Sequence, residues 1–126
     1  MTQENKEILL KDLCARLPYN VICQVEFKED GKYNSKVMLL SGIFTDEAYF
    51  TTKGGSIYSN EYKPYLRPMS SMTEEQEEEY NDLNSYELGC FPHTEEALDY
   101  LLKNHFDYRD LIDKNLAIDC TNLNIY

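Results

Sequence analysis

The sequence predicts an α+β fold: an N-terminal helix, a small curved antiparallel sheet of four to five strands, and helices after it. Three observations carry this expectation. Apolar residues recur with a helical period from about Gln3 to Leu17. From Val21 to about Leu66 the pattern changes to short alternating, β-branched and aromatic runs, separated by turn-forming clusters. From Thr73 onward the helical period returns. A chain of 126 residues fits one domain, 1–126. Within it the pattern divides into a helix-plus-sheet part (1–68), a helical part packed on it (69–120) and a frayed tail (121–126).

In the first helix Leu9, Leu13 and Leu17 stand at i, i+4 and i+8, with Leu10 and Cys14 beside them, which predicts one apolar stripe. Thr2 suits the N-cap, Glu4 favours the positive helix start, and Pro18 ends the helix. Val21, Cys23, Val25 and Phe27 alternate with Ile22, Gln24 and Glu26, as a half-buried strand requires. Glu29-Asp30-Gly31-Lys32 is a turn. The strand from Lys36 through Leu40, reaching toward Phe44, is apolar on both faces and belongs in the middle of the sheet. Thr45-Asp46-Glu47 turns the chain into Ala48-Tyr49-Phe50-Thr51-Thr52, and Lys53-Gly54-Gly55 turns it into Ser56-Ile57-Tyr58-Ser59. Glu61 to Leu66 is a last strand, which Pro64 confines to an edge or a bulge. Such a sheet could close into a small SH3-like barrel, a frame that serves many unrelated tasks.

Thr73 and Gln76 have capping-box spacing for a helix to about Leu83, which has only Tyr80 and Leu83 as an apolar face and so belongs at the surface. Asn84 to Pro92 reads as a loop. Thr94 then caps the strongest helix of the second half, with Ala97, Leu98, Leu101, Leu102 and Phe106 as its core face. A helical turn over 108–114 follows, and Leu116-Ala117-Ile118 could add to the sheet or cover one end of it.

The charge narrows the function classes. Twelve basic residues face 23 acidic ones, for a net charge of −11, so direct binding to nucleic acid is not expected. An acidic chain can still bind a basic protein surface or occupy a nucleic-acid site on another protein. No run approaches the roughly 18 apolar residues of a membrane span, and the start lacks a signal-peptide pattern. Cys14, Cys23, Cys90 and Cys120 show no C-x-x-C pairing and read as reduced thiols of a cytoplasmic protein.

Chemistry-bearing clusters are few. Cys90 and His93 could supply half of a zinc site, but no second pair stands at ligand spacing, so neither a metal nor another cofactor is expected. His105 with Asp107 or Asp110 could act as a general base, or the same residues could end one helix and cap the next. The run of Glu74, Glu75, Glu77, Glu78 and Glu79 promises a solvated face more than an acid–base pair. Eleven tyrosines without a tryptophan suit sheet faces and interfaces. Two surfaces stand out as candidate binding residues: Tyr62, Lys63, Tyr65 and Arg67, and the corner of Tyr108 and Arg109. The rival reading of the first pairs Lys63 and Arg67 with the glutamates that follow.

Three segments, L-C-A-R-L-P-Y, K-P-Y-L-R-P-M-S-S-M-T-E-E and H-F-D-Y-R-D-L-I-D-K-N-L-A, occur in that order. Together they resemble a family of small phage and prophage proteins from gut anaerobic bacteria, whose function is unknown. Asn20 and Asn115 stand where the family pattern has Gly, a mild departure because Asn tolerates the left-handed conformation. The resemblance implies an accessory protein acting on a host or phage protein in the host cytoplasm. The leading expectation is therefore a non-enzymatic protein-binding module. The alternatives are an acidic inhibitor that imitates nucleic acid and a small enzyme using His105.

Overall fold

In the computed structural model, which describes residues 2–44, 47–84 and 92–126, the chain opens on α1 (Gln3–Arg16). The Thr2 hydroxyl caps it by accepting the Asn5 amide at 3.1 Å. A short 3-10 turn over Leu17–Tyr19 follows, and Asn20 then takes φ 59° to end it. The two turns that hold Asn20 and Asn115 (φ 61°) both use the left-handed region, which Asn adopts more readily than most residues.

The sheet begins with a hairpin of β1 (Ile22–Glu29) and β2 (Lys32–Ile43). Its two turn residues, Asp30 and Gly31, have φ 51° and 77°, as the twist-compatible two-residue turn requires. A register shift between Leu40 and Gly42 bends β2 before it pairs with β3 (Ala48–Thr52), which pairs in turn with β4 (Gly55–Ser59). After Asn60 the chain returns as β5 (Glu61–Pro68) along the other side of β1. The order is β4-β3-β2-β1-β5, antiparallel throughout. The Ser59 hydroxyl donates to the Glu26 carbonyl at 2.6 Å, so the end of β4 curls back to β1. Among the described residues no ladder joins these two strands, so the sheet is curved and open, not a closed barrel.

Two-residue strands complete it. After α2 (Glu74–Leu83) and α3 (Glu95–Lys103), β6 (Phe106–Asp107) and β7 (Ile118–Asp119) each pair with β5 in parallel. Phe106 thus belongs to the sheet, not to the preceding helix: Asn104 caps α3 and His105 takes φ 63°, which ends the helical path. Leu116 to Ile118 does add to the sheet, through Ile118. Pro64 faces Cys23 of β1, while pairing on the other side of β5 starts one residue later at Tyr65. β5 is flanked on both sides, yet its proline stands where only one side is laddered. The segment after Tyr108 is a series of turns, held by Asp107 accepting the Leu111 and Ile112 amides at 2.9 Å each.

Two apolar clusters share α1. Leu9 and Leu13 pack with Val21, Cys23, Val25, Met38, Leu40, Phe50 and Leu66 against the concave side of the sheet. Ala15 meets the other cluster, which Tyr80, Ala97, Leu101, Leu102, Phe106 and Tyr108 form under α2 and α3. Cys14 is exposed, so the stripe expected on α1 is displaced toward Asp12 and Arg16, both fully buried. Among the described residues, no helix is long and apolar enough to cross a membrane. Tyr126 is tied down: its phenol accepts the Ile22 amide and donates to the Tyr65 carbonyl, both at 2.9 Å.

Candidate interface

The strand alternation puts two kinds of aromatic residue on the sheet. Ala48 and Phe50 of β3 point into the core, so Tyr49 between them points out, and its cross-strand partner Tyr58 does the same. The two rings lie 4.9 Å apart between centres. Phe44 joins them 5.8 Å from Tyr58, its ring edge over Gly42, where a Cβ would lie 3.5 Å from Phe44 Cε2. Phe44 remains 53 % exposed and Tyr58 56 % exposed. On the same outward face of β2, the exposed Val37 and the half-buried Leu39 lie beyond a Ser41–Thr51 hydroxyl pair at 2.8 Å. This convex face carries large apolar groups that the fold leaves in water.

The residues singled out from the sequence lie elsewhere and are mostly used inside the molecule. Tyr62 packs its ring 5.1 Å from Phe50, and burial pushes its phenol pKa up. Tyr65 is buried. Lys63 donates to Asn115 Oδ1 at 3.0 Å, and Arg67 lies 6.0 Å from the Tyr126 ring centre. Neither cation pairs with the glutamates of α2; the strip is bound to the C-terminal segment instead. Burial and register on β5 separate these four side chains, so they do not present one surface.

Tyr108 and Arg109 belong to a buried charge cluster. Arg16 Nε donates to Asp12 Oδ2 at 2.6 Å, and Arg16 Nη2 donates to the Phe106 carbonyl at 2.6 Å. Arg109 Nε stands 3.5 Å from Asp12 Oδ1 and donates to the Tyr108 phenol at 3.0 Å. Both guanidiniums lie against the Tyr108 ring, at 5.8 Å and 4.9 Å from its centre. Burial pushes the Asp12 carboxyl above its usual range, against the pull of Arg16 and Arg109. Placed where α1 meets β6, this cluster joins the two cores and reads as architecture.

His105 does not meet Asp107 or Asp110. Its ring stacks on Tyr126 with centres 3.6 Å apart and planes 7° from parallel. Burial, with Arg16 and Arg67 nearby, lowers its pKa to about 4. Asp107 spends both oxygens on backbone amides, and Asp110 is exposed. The pairing expected of a general base is therefore not assembled. Cys90 lies outside the described residues, and the His93 amide donates to Asn84 Oδ1.

Compared with family models, curated proteins and solved structures, the chain matches none. What can be said of its function rests on its own surface. For Tyr49 and Tyr58 the signal in the sequence is strand parity; Phe44, beyond the end of β2 and after its register shift, has no such signal. In A-Y-F and S-I-Y, a core residue on one parity leaves tyrosine on the other.

Proposed function

We propose that this protein is a non-enzymatic protein-binding module that engages its partner through Phe44, Tyr49 and Tyr58. The observation that carries this reading is the cluster of Phe44, just past β2, with Tyr49 of β3 and Tyr58 of β4, in which Phe44 and Tyr58 are exposed and Tyr49 half-buried between them. Rings of this size, held by neighbouring strands, lose little freedom on binding and make good interface anchors. The net charge of −11 favours a basic partner surface, whose arginines and lysines can lie over the tyrosine faces. The resemblance to phage and prophage proteins supports a host or phage protein of the host cytoplasm as that partner.

The acidic inhibitor reading is less favoured by the geometry of α2. Its glutamates at 74, 75, 77, 78 and 79 are exposed on a capped helix. At about 100° per residue they spread around a broad arc and do not form a single phosphate-like row.

The test is a photo-crosslinking amino acid at position 58, compared with one at position 33, in lysogenic host cells. Tyr33 is 74 % exposed at the far end of the β1–β2 hairpin. The expected result is a discrete adduct from position 58 that Phe44→Ala removes, and none from position 33. Adducts from position 33 alone, or adducts at 58 indifferent to Phe44→Ala, would overturn the reading.

A further inference from the structure

The concave side of the sheet has its own opening, distinct from the convex aromatic face. Where β1 runs on past β5, residues Phe27, Lys28 and Glu29 pair with β2 alone. At the start of β4, Gly55, Ser56 and Ile57 pair with β3 alone. Curling brings these two strand edges to opposite sides of one mouth, pinned at its narrow end by the Ser59 bond to Glu26. Between them lies a pocket of about 340 Å³ lined by Phe27, Lys36, Met38 and Ile57 among others. Phe27, Met38 and Ile57 give it an apolar floor, and among the described residues each wall is a strand edge without a ladder partner.

The charge of this end is opposite to that of the whole. Lys28, Lys36 and Glu29 line the pocket, Lys32 faces that Glu29 at the hairpin end, and Lys53 stands in the turn leading into β4. These four lysines are a third of the chain's 12 basic residues, against Glu29 and Asp30 at the same end. The Lys36 ammonium lies 5.6 Å from the Phe27 ring centre, which holds it at the mouth.

We infer that the mouth between β1 and β4 binds an extended acidic peptide segment of a partner protein, laddered to one or both strand edges. Unpaired edges supply main-chain hydrogen bonds, as in strand addition generally. The period of two in a strand then turns one set of the peptide's side chains to Met38 and Ile57. The other set, carboxylates, turns toward Lys28 and Lys53, while Lys36, on the same face of β2 as Met38, stands at the mouth beside the apolar set. A short stretch of three or four residues fills the space.

The probe is an acetylated, amidated Glu-Val-Glu-Val-Glu-Val peptide titrated into 15N-labelled protein. The comparisons are a Lys-Val repeat and a Glu-Val repeat N-methylated at alternate positions. Amide shifts confined to 27–29 and 54–57 are expected with the first peptide only. The Lys28→Glu, Lys36→Glu double variant, whose changes lie at the rim, should weaken that binding at least tenfold while its circular dichroism is unchanged. Equal binding of the lysine or N-methylated peptide, full binding by the double variant, or no shifts at all would overturn the inference. So would concentration-dependent self-association through the same amides, which would make the occupant a second copy. None of these outcomes bears on the convex aromatic face, which the crosslinking experiment tests separately.

Discussion

Removing Asp12 tests how the two cores are joined. In Asp12→Ala, Arg16 stays fully buried and keeps only the Phe106 carbonyl as a hydrogen-bond acceptor. Arg109 loses its carboxylate as well. Leaving a buried charge without its partner costs about 3–5 kcal/mol. A domain of this length has roughly 6–19 kcal/mol of stability in total, at about 0.05–0.15 kcal/mol per residue. The variant should therefore lose a large share of it, with a fall in Tm of roughly 10–20 °C. The Asp12→Leu, Arg16→Met double variant removes both charges and should recover to within about 2 kcal/mol of the parent. Urea denaturation of the parent, of Asp12→Leu, of Arg16→Met and of the double variant gives the coupling energy directly. A loss under about 1 kcal/mol in Asp12→Ala, with the Asp12→Leu and Arg16→Met effects additive in the double variant, would refute the reasoning.

Three further outcomes are expected. His105 has a pKa of about 4 in the folded protein against 6.5 in the unfolded chain, so its contribution to stability is complete above pH 6.5 and is lost as the pH falls toward 4. At about 1.4 kcal/mol per tenfold change in proton affinity, the loss is at most about 3 kcal/mol. His105→Asn, which tolerates φ 63°, should flatten that part of the denaturation-versus-pH curve. Thr73→Ala breaks the capping box and should cost about 1 kcal/mol, read as faster amide exchange at Gln76 and a lower urea midpoint. Tyr126→Phe keeps the ring on His105 but removes the hydroxyl that serves Ile22 and Tyr65, and should lower stability by about 1–3 kcal/mol in the same assay.

The fold was readable where one local rule decides the outcome. Alternation gave β1, the Asp30-Gly31 turn gave the first hairpin, and Thr2, Thr73 and Thr94 each cap the helix their spacing announces. It was not readable where distant segments decide. Asp12 and Arg16 look like a solvated i,i+4 pair until β6 and Arg109 close over them. Phe106 continues the apolar period of α3, yet the left-handed backbone at His105 carries it into the sheet. Tyr126 lies 104 positions from Ile22, and nothing local signals that contact. For the interface, aromatic content was visible, but which aromatics stay exposed depended on where the distant segments pack. Tyr65 and Tyr108 are buried by partners far along the chain, while Tyr49 and Tyr58 are left outside by strand parity.

The most direct measurement is an amide-exchange footprint of this protein in complex with the partner that crosslinks to position 58. Slowed exchange confined to 42–44, 49–51 and 56–58 is the expected result. Slowed exchange over 62–67 and 108–109, with the outer strands unchanged, would contradict the account.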